Sequence, residues 1–158
     1  MRLALPLLVA LAAPAGAGEG GHAHADAPAG LEIGHGWMAA TDGDDGRAFV
    51  RLRNETGGAL VLTGLEIEGI AGAEAALVAP RIDGGAGVLP LAPFVLDPGV
   101  ELEMAPEGPH VALTGIGPRA EGGEIDLVLL FEGLGAVEAR VAVEGADAES
   151  ASHAGHDH

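Results

Sequence analysis

The 158-residue chain contains no cysteine, no lysine and no tyrosine, and its only serines are Ser150 and Ser152. Without cysteine there is no disulfide, no thiol nucleophile and no thiolate ligand for zinc or copper. Without lysine, and with serine confined to the last residues, nucleophilic catalysis would fall to a Thr, an Asp or a Glu. No H-E-x-x-H, P-loop, G-x-S-x-G or dinucleotide-binding pattern is present, and no carboxylate pair is singled out by its spacing. A non-catalytic role is therefore expected. Positive charge is also scarce: seven arginines face 24 acidic residues, for a formal net charge of −17. That balance argues against binding to nucleic acid, which needs a basic patch to neutralise phosphates. It argues equally against adhesion to anionic membranes. An acidic surface attracts cations and basic partner surfaces.

What the chain does have begins at its N-terminus. Arg2 precedes an apolar run from Leu3 to Ala13, and Pro14-Ala15-Gly16-Ala17 supplies small residues in an A-x-A arrangement. This is the pattern of a cleavable export signal. The run is far shorter than the ~20 residues that span a bilayer as a helix. Residues 1–17 are expected to be removed, leaving Gly18 or Glu19 at the mature N-terminus, a periplasmic location and no membrane insertion after cleavage. Residues 18–30 read as a Gly/Ala linker carrying His22 and His24, residues 31–144 as one folded domain, and residues 145–158 as a small, acidic, disordered tail bearing histidines.

Within residues 31–144 the pattern is that of strands. Arg47 to Asn54 puts Ala48, Val50 and Leu52 on one face and Phe49, Arg51 and Arg53 on the other. Leu60 to Ile67 is a second apolar strand. Glu124 to Phe131 places Ile125, Leu127, Leu129 and Phe131 on one face; after Gly133-Leu134-Gly135 the alternation resumes at Val137, Ala139, Val141 and Val143, which predicts a hairpin. Turn signals recur at 54–58, 83–87, 97–99, 106–109 and 117–123. Short, evenly spaced strands without a helical period predict an all-β, antiparallel Greek-key sandwich or barrel.

Histidine is the one chemically informative residue type. His153, His156 and His158 lie close together in the tail with Asp157 among them, and His22 and His24 form a second pair in the linker. Imidazole suits copper, zinc and nickel, and a flexible tract can wrap its ligands around an ion. A short polar tail without function is the alternative. Within the domain, His110 opens the apolar stretch His110-Val111-Ala112-Leu113, and Met104 precedes it across a Pro/Gly turn. A thioether and an imidazole so placed can share one Cu(I); alternatively, Met104 packs in the core and His110 caps a strand end. His35, Trp37 and Met38 fall on the first strand, with Trp37 read as core and His35 as exposed.

Leu31 to Val143 resembles the periplasmic copper chaperones of the PCu(A)C family. The resemblance is carried by LEIGHGWMAAT (Leu31–Thr41), by GRAFVRLRNETGGALVLTGLE (Gly46–Glu66), by LAPFVLDPGVELEMAPEGPHVALTGI (Leu91–Ile116) and by the final strand pair. It implies a cupredoxin-like fold and a protein that holds copper and passes it on, in family terms to the copper centre of a respiratory oxidase or to an assembly factor. Anchored on His110, the spacing of the family's His…Met…His-x-Met copper motif places Leu77, Val88 and Ala112 at the other ligand positions, so the motif is degenerate here. Two readings follow. In one, copper handling persists through the His-bearing tails with His110 and Met104 assisting, or passes to zinc or nickel. In the other, the domain is a metal-free interaction module.

Overall fold

The computed structural model describes residues 24–25, 27–83 and 87–149. The described residues form thirteen strands and no helix. In chain order these are β1 (His24–Ala25), β2 (Leu31–Ile33), β3 (Gly36–Ala39), β4 (Gly46–Phe49), β5 (Arg51–Asn54), β6 (Leu60–Ile67), β7 (Glu74–Pro80), β8 (Val88–Pro90), β9 (Phe94–Leu96), β10 (Glu101–Glu103), β11 (His110–Thr114), β12 (Glu124–Phe131) and β13 (Gly135–Glu144).

The expected hairpin is the spine of the fold. β12 and β13 pair antiparallel from Glu124↔Ala142 to Phe131↔Gly135, and β6 lines up on the other edge of β12. Gly133 and Gly135 turn the chain with φ of 74° and 96°, values that glycine adopts without steric cost. Strict alternation then sends Ile125, Leu127, Leu129 and Phe131, with Val137, Ala139, Val141 and Val143, to one buried face. Each large aliphatic side chain so buried contributes about 1.5–3 kcal/mol.

Seven strands close on themselves in the order β7-β11-β4-β3-β13-β12-β6, the ring being completed by Leu65 of β6 against Ala75 of β7. β8 extends β7 and β9 extends β6 where those two strands diverge. A second, three-stranded sheet, β10-β5-β2, packs onto the same core through Leu31, Leu52 and Leu102. Pairing is antiparallel except for β13 with β3 and with β1, which is parallel. Where β3 meets β13 the backbones run close: a Cβ at Gly36 would stand 2.7 Å from the Arg140 carbonyl oxygen.

Four sequence expectations change here. The run Arg47–Asn54 is two strands, broken at buried Val50, where the chain passes from the barrel to the small sheet. The linker contributes β1, which pairs with Ala136 and Val137. Exposed His35 lies between β2 and β3 rather than on a strand with Trp37. Residues 145–149 are not a free tail: Ala148 donates its N–H to the Gly145 carbonyl (2.9 Å) and packs against the core.

One buried polar side chain joins the two sheets. Asn54, at the end of β5, is fully buried. Its Nδ2 donates to the carbonyls of Gly58 (2.8 Å) and Leu96 (2.7 Å), and its Oδ1 accepts from the Thr56 N–H (2.9 Å) and hydroxyl (2.6 Å). Every hydrogen-bonding site of the amide is thereby used.

Candidate metal centre

His110 is the first residue of β11 and follows a tight turn. The Ala105 N–H donates to the Pro109 carbonyl (3.0 Å), and the Gly108 N–H donates to the Ala105 carbonyl (2.9 Å). Met104 enters this turn and His110 leaves it, so the two residues flank the same closed loop. The loop then holds the imidazole: Nδ1 lies 3.0 Å from the Gly108 carbonyl oxygen. A carbonyl oxygen only accepts, so Nδ1 carries the proton and donates. In the neutral ring the lone pair is therefore on Nε2. Fixing one ring nitrogen on a backbone carbonyl while the other faces outward is the arrangement that orients a metal-ligating histidine.

His110 is only 5% exposed, yet among the described residues no buried side-chain nitrogen or oxygen lacks a hydrogen-bond partner. Nε2 has no such partner among the described residues, so it is not fully buried and some solvent reaches it. The ring leans on Phe49 (centroids 6.3 Å apart, 51° between planes), which packs in turn on Trp37 (4.5 Å, 32°). The Arg47 guanidinium lies over the outer side of Phe49 at 6.0 Å from its centroid, and its Nη1 donates to the Pro106 carbonyl (3.2 Å).

The strand registers decide which neighbours share a face with His110. It pairs with Val78 of β7, and Val78 pairs with Pro90 of β8. Ala112, two residues along β11, lies on the same outward face, between Ala76 and Arg47. Leu77 pairs with Val111, and both point into the core, so a side chain at position 77 faces away from His110. Val88 sits exposed at the start of β8, opposite Pro80. Of Leu77, Val88 and Ala112, only Ala112 shares the outward face of β11 with His110.

Met104 is buried in the core cluster, and His110 opens its strand. His24 pairs with β13 through its backbone, opposite Ala136. His22, His153, His156 and His158 lie outside the described residues. Among the described residues, no three His, Asp or Glu side chains gather in a metal-binding arrangement. Among the described residues the domain thus offers an exposed imidazole at His35 and, at His110, a mostly buried one with a thioether on the other side of its turn.

Sequence reasoning missed the cleft beside this histidine. It has a volume of about 510 Å³ and is lined by Trp37, Arg47, Phe49, Pro106, Glu107 and Glu149, among others. Phe49 is shared between its wall and the His110 ring. The outward alternation of Arg47 and Phe49 was visible in the sequence; that the turn at 105–109 folds over them was not.

The profile of the LpqE-like family, described as one of LpqE-like lipoproteins, matches residues 31–143. Among solved structures, the apo PCuAC domain of PmoF2 is 25% identical and superposes with a TM-score of 0.59, covering 77% of this chain and 95% of its own. The apo PCuAC domain of PmoF1 is 23% identical with a TM-score of 0.60, covering 73% and 94%. A copper-bound PCuAC domain from PmoF2 is 23% identical with a TM-score of 0.55, covering 73% and 93%. No curated protein matches the chain. The barrel has the cupredoxin-like fold of PCuAC domains, and the chain belongs to the LpqE-like family.

Proposed function

We propose that this protein is an exported copper-binding protein of the chaperone type, which holds copper and passes it on and catalyses no covalent reaction. The observation that carries this reading is His110: its Nδ1 is committed to the Gly108 carbonyl and its Nε2 is left open at the surface, in a fold one of whose solved members, the PmoF2 PCuAC domain, holds copper. Met104, on the other side of the turn, is the candidate thioether ligand for Cu(I). His153, His156 and His158, with His22 and His24, supply further imidazoles in place of the side chains missing at Leu77, Val88 and Ala112. The receiving partner in this reading is the copper centre of a respiratory oxidase or its assembly factor.

Export rests on Arg2, the apolar run Leu3–Ala13 and Ala15-Gly16-Ala17. Metal analysis of protein recovered from the periplasm without affinity chromatography tests the reading. Copper bound in stoichiometric amount supports it. Zinc or nickel in place of copper, or no metal after exposure to copper, overturns it.

A further inference from the structure

We propose that the cleft beside His110 is a docking groove for a partner protein, and that its occupant is a basic segment carrying two or more arginine or lysine side chains. The groove stands on geometry and charge and does not depend on the copper reading.

Two strands build its floor. Trp37 of β3 pairs with Phe49 of β4, and Met38 pairs with Ala48, so Ala39 and Arg47 are the next neighbours along those strands. Asp45, Arg47 and Phe49 stand at every second position and so share the outward face of the barrel. Two turns build its walls. The 105–109 turn brings Pro106 and Glu107, and Arg47 ties that turn down by donating from Nη1 to the Pro106 carbonyl (3.2 Å). The 145–148 turn brings Ala148 and Glu149; it is closed by the Ala148 N–H on the Gly145 carbonyl (2.9 Å) and anchored by the Ala40 N–H on the Glu144 carbonyl (2.8 Å). With both walls fixed by hydrogen bonds the groove is formed before anything enters it, which cuts the ordering cost of binding.

Charge names the occupant. Asp45, Glu107 and Glu149 are exposed along the groove, and no arginine forms an ion pair with any of them among the described residues. Arg47 is the one cation in the lining, and it is committed to the Phe49 ring and the Pro106 carbonyl. Exposed Asp42 and Asp44, in the same loop as Asp45, extend the acidic edge. These carboxylates do not converge: among the described residues no three His, Asp or Glu groups gather to hold a metal ion. Separated anions match separated cations, as successive basic side chains of a peptide supply them. The apolar floor at Trp37, Ala39, Phe49 and Pro106 receives the methylene stems of arginine and lysine while their charged heads reach the carboxylates. A volume of about 510 Å³ admits several such side chains. The net charge of −17 steers a basic partner towards the protein, and the groove decides where it lands.

The probe is a fluorescein-labelled hexaarginine peptide, titrated into metal-free full-length protein at low salt and followed by anisotropy. Two triple variants lose the same three charges at exposed positions: Asp45→Asn/Glu107→Gln/Glu149→Gln in the groove, and Glu32→Gln/Glu55→Gln/Glu101→Gln on the small sheet. The expected result is an affinity about tenfold lower in the groove variant, two- to threefold for each exposed carboxylate, and within about twofold of wild type in the small-sheet variant. Trp37 is the only tryptophan of the chain and lines the groove, so unlabelled hexaarginine should change its emission in the wild type. Equal losses in the two variants would show attraction by net charge alone and overturn the groove. So would unchanged Trp37 emission at saturation, or a wild-type protein that binds hexaarginine no better than hexaglutamate.

Discussion

Replacing Asn54 probes how the barrel and the small sheet are held in one unit. Asn54→Ala removes four hydrogen bonds at a fully buried position. Their loss is unequal. Thr56 is near the surface, so its N–H and hydroxyl regain water, at a net cost of about 1 kcal/mol for the pair. The Gly58 carbonyl keeps the Thr56 hydroxyl at 2.9 Å and loses little. The Leu96 carbonyl belongs to a fully buried residue, and losing the Asn54 amide costs about 1–3 kcal/mol there. The sum is about 3 kcal/mol, which in a domain of this size lowers the melting temperature by roughly 10 °C. Asn54→Asp is the sharper variant. It keeps the acceptor for Thr56 but turns an anionic oxygen on the Gly58 and Leu96 carbonyls, where a donor is needed. Protonation of that Asp restores one donor, so its folded-state pKa lies above the unfolded one. The deficit of Asn54→Asp relative to wild type should therefore be largest at neutral pH and shrink as the pH falls through the carboxyl range. Equilibrium denaturation at several pH values reads both effects. Asn54→Ala within 1 kcal/mol of wild type, or a deficit for Asn54→Asp that grows on acidification, would refute the reasoning.

Three further outcomes follow from the same geometry. Leu127 is fully buried on the inner face of β12 and Asp126 faces outward beside Arg140 (3.9 Å); Leu127→Asp should leave no folded protein by far-UV dichroism, because an unpaired charge in the core costs several kcal/mol, whereas Asp126→Ala should melt close to wild type. Copper held through imidazoles competes with protons, so copper occupancy should fall as the pH drops through ~6.5, and flat occupancy between pH 7.5 and 5 by equilibrium dialysis would exclude imidazole ligands. The exported protein should have an intact mass beginning at Gly18 or Glu19, and a mass that includes Met1–Ala17 would end the export reading.

The strands that the sequence made legible are those whose alternation is uninterrupted and whose polar face meets water. Leu60–Ile67 and Glu124–Phe131 have the boundaries their patterns gave, and the turn at Gly133–Gly135 closes the expected hairpin. The pattern was less informative where both faces are covered. Phe49 and Val50 are adjacent and both buried, one under Arg47 and the 105–109 turn and one in the core, so period-two alternation could not show that the chain changes sheets between them. The parallel pairing of β13 with β3 was equally hidden, because a buried apolar strand carries no mark of its partner's direction. At the site, His110 and Met104 stood out as residue types, and their positions on either side of one turn followed from the Pro/Gly spacing. The Gly108 carbonyl that sets the tautomer of His110 is a backbone atom and leaves no trace in residue identity. The inward direction of Leu77 depends on strand register, which residue counting along the family motif does not capture.

The most direct test of the central claim is a competitive copper titration of the full-length protein against a chelator, alongside its His110→Ala variant. The account predicts stoichiometric copper binding by the wild type and an affinity lower by about tenfold or more in the variant, since the loss of a fixed imidazole removes a preorganised ligand. Copper bound equally well without His110, or no copper bound by the wild type, would contradict it.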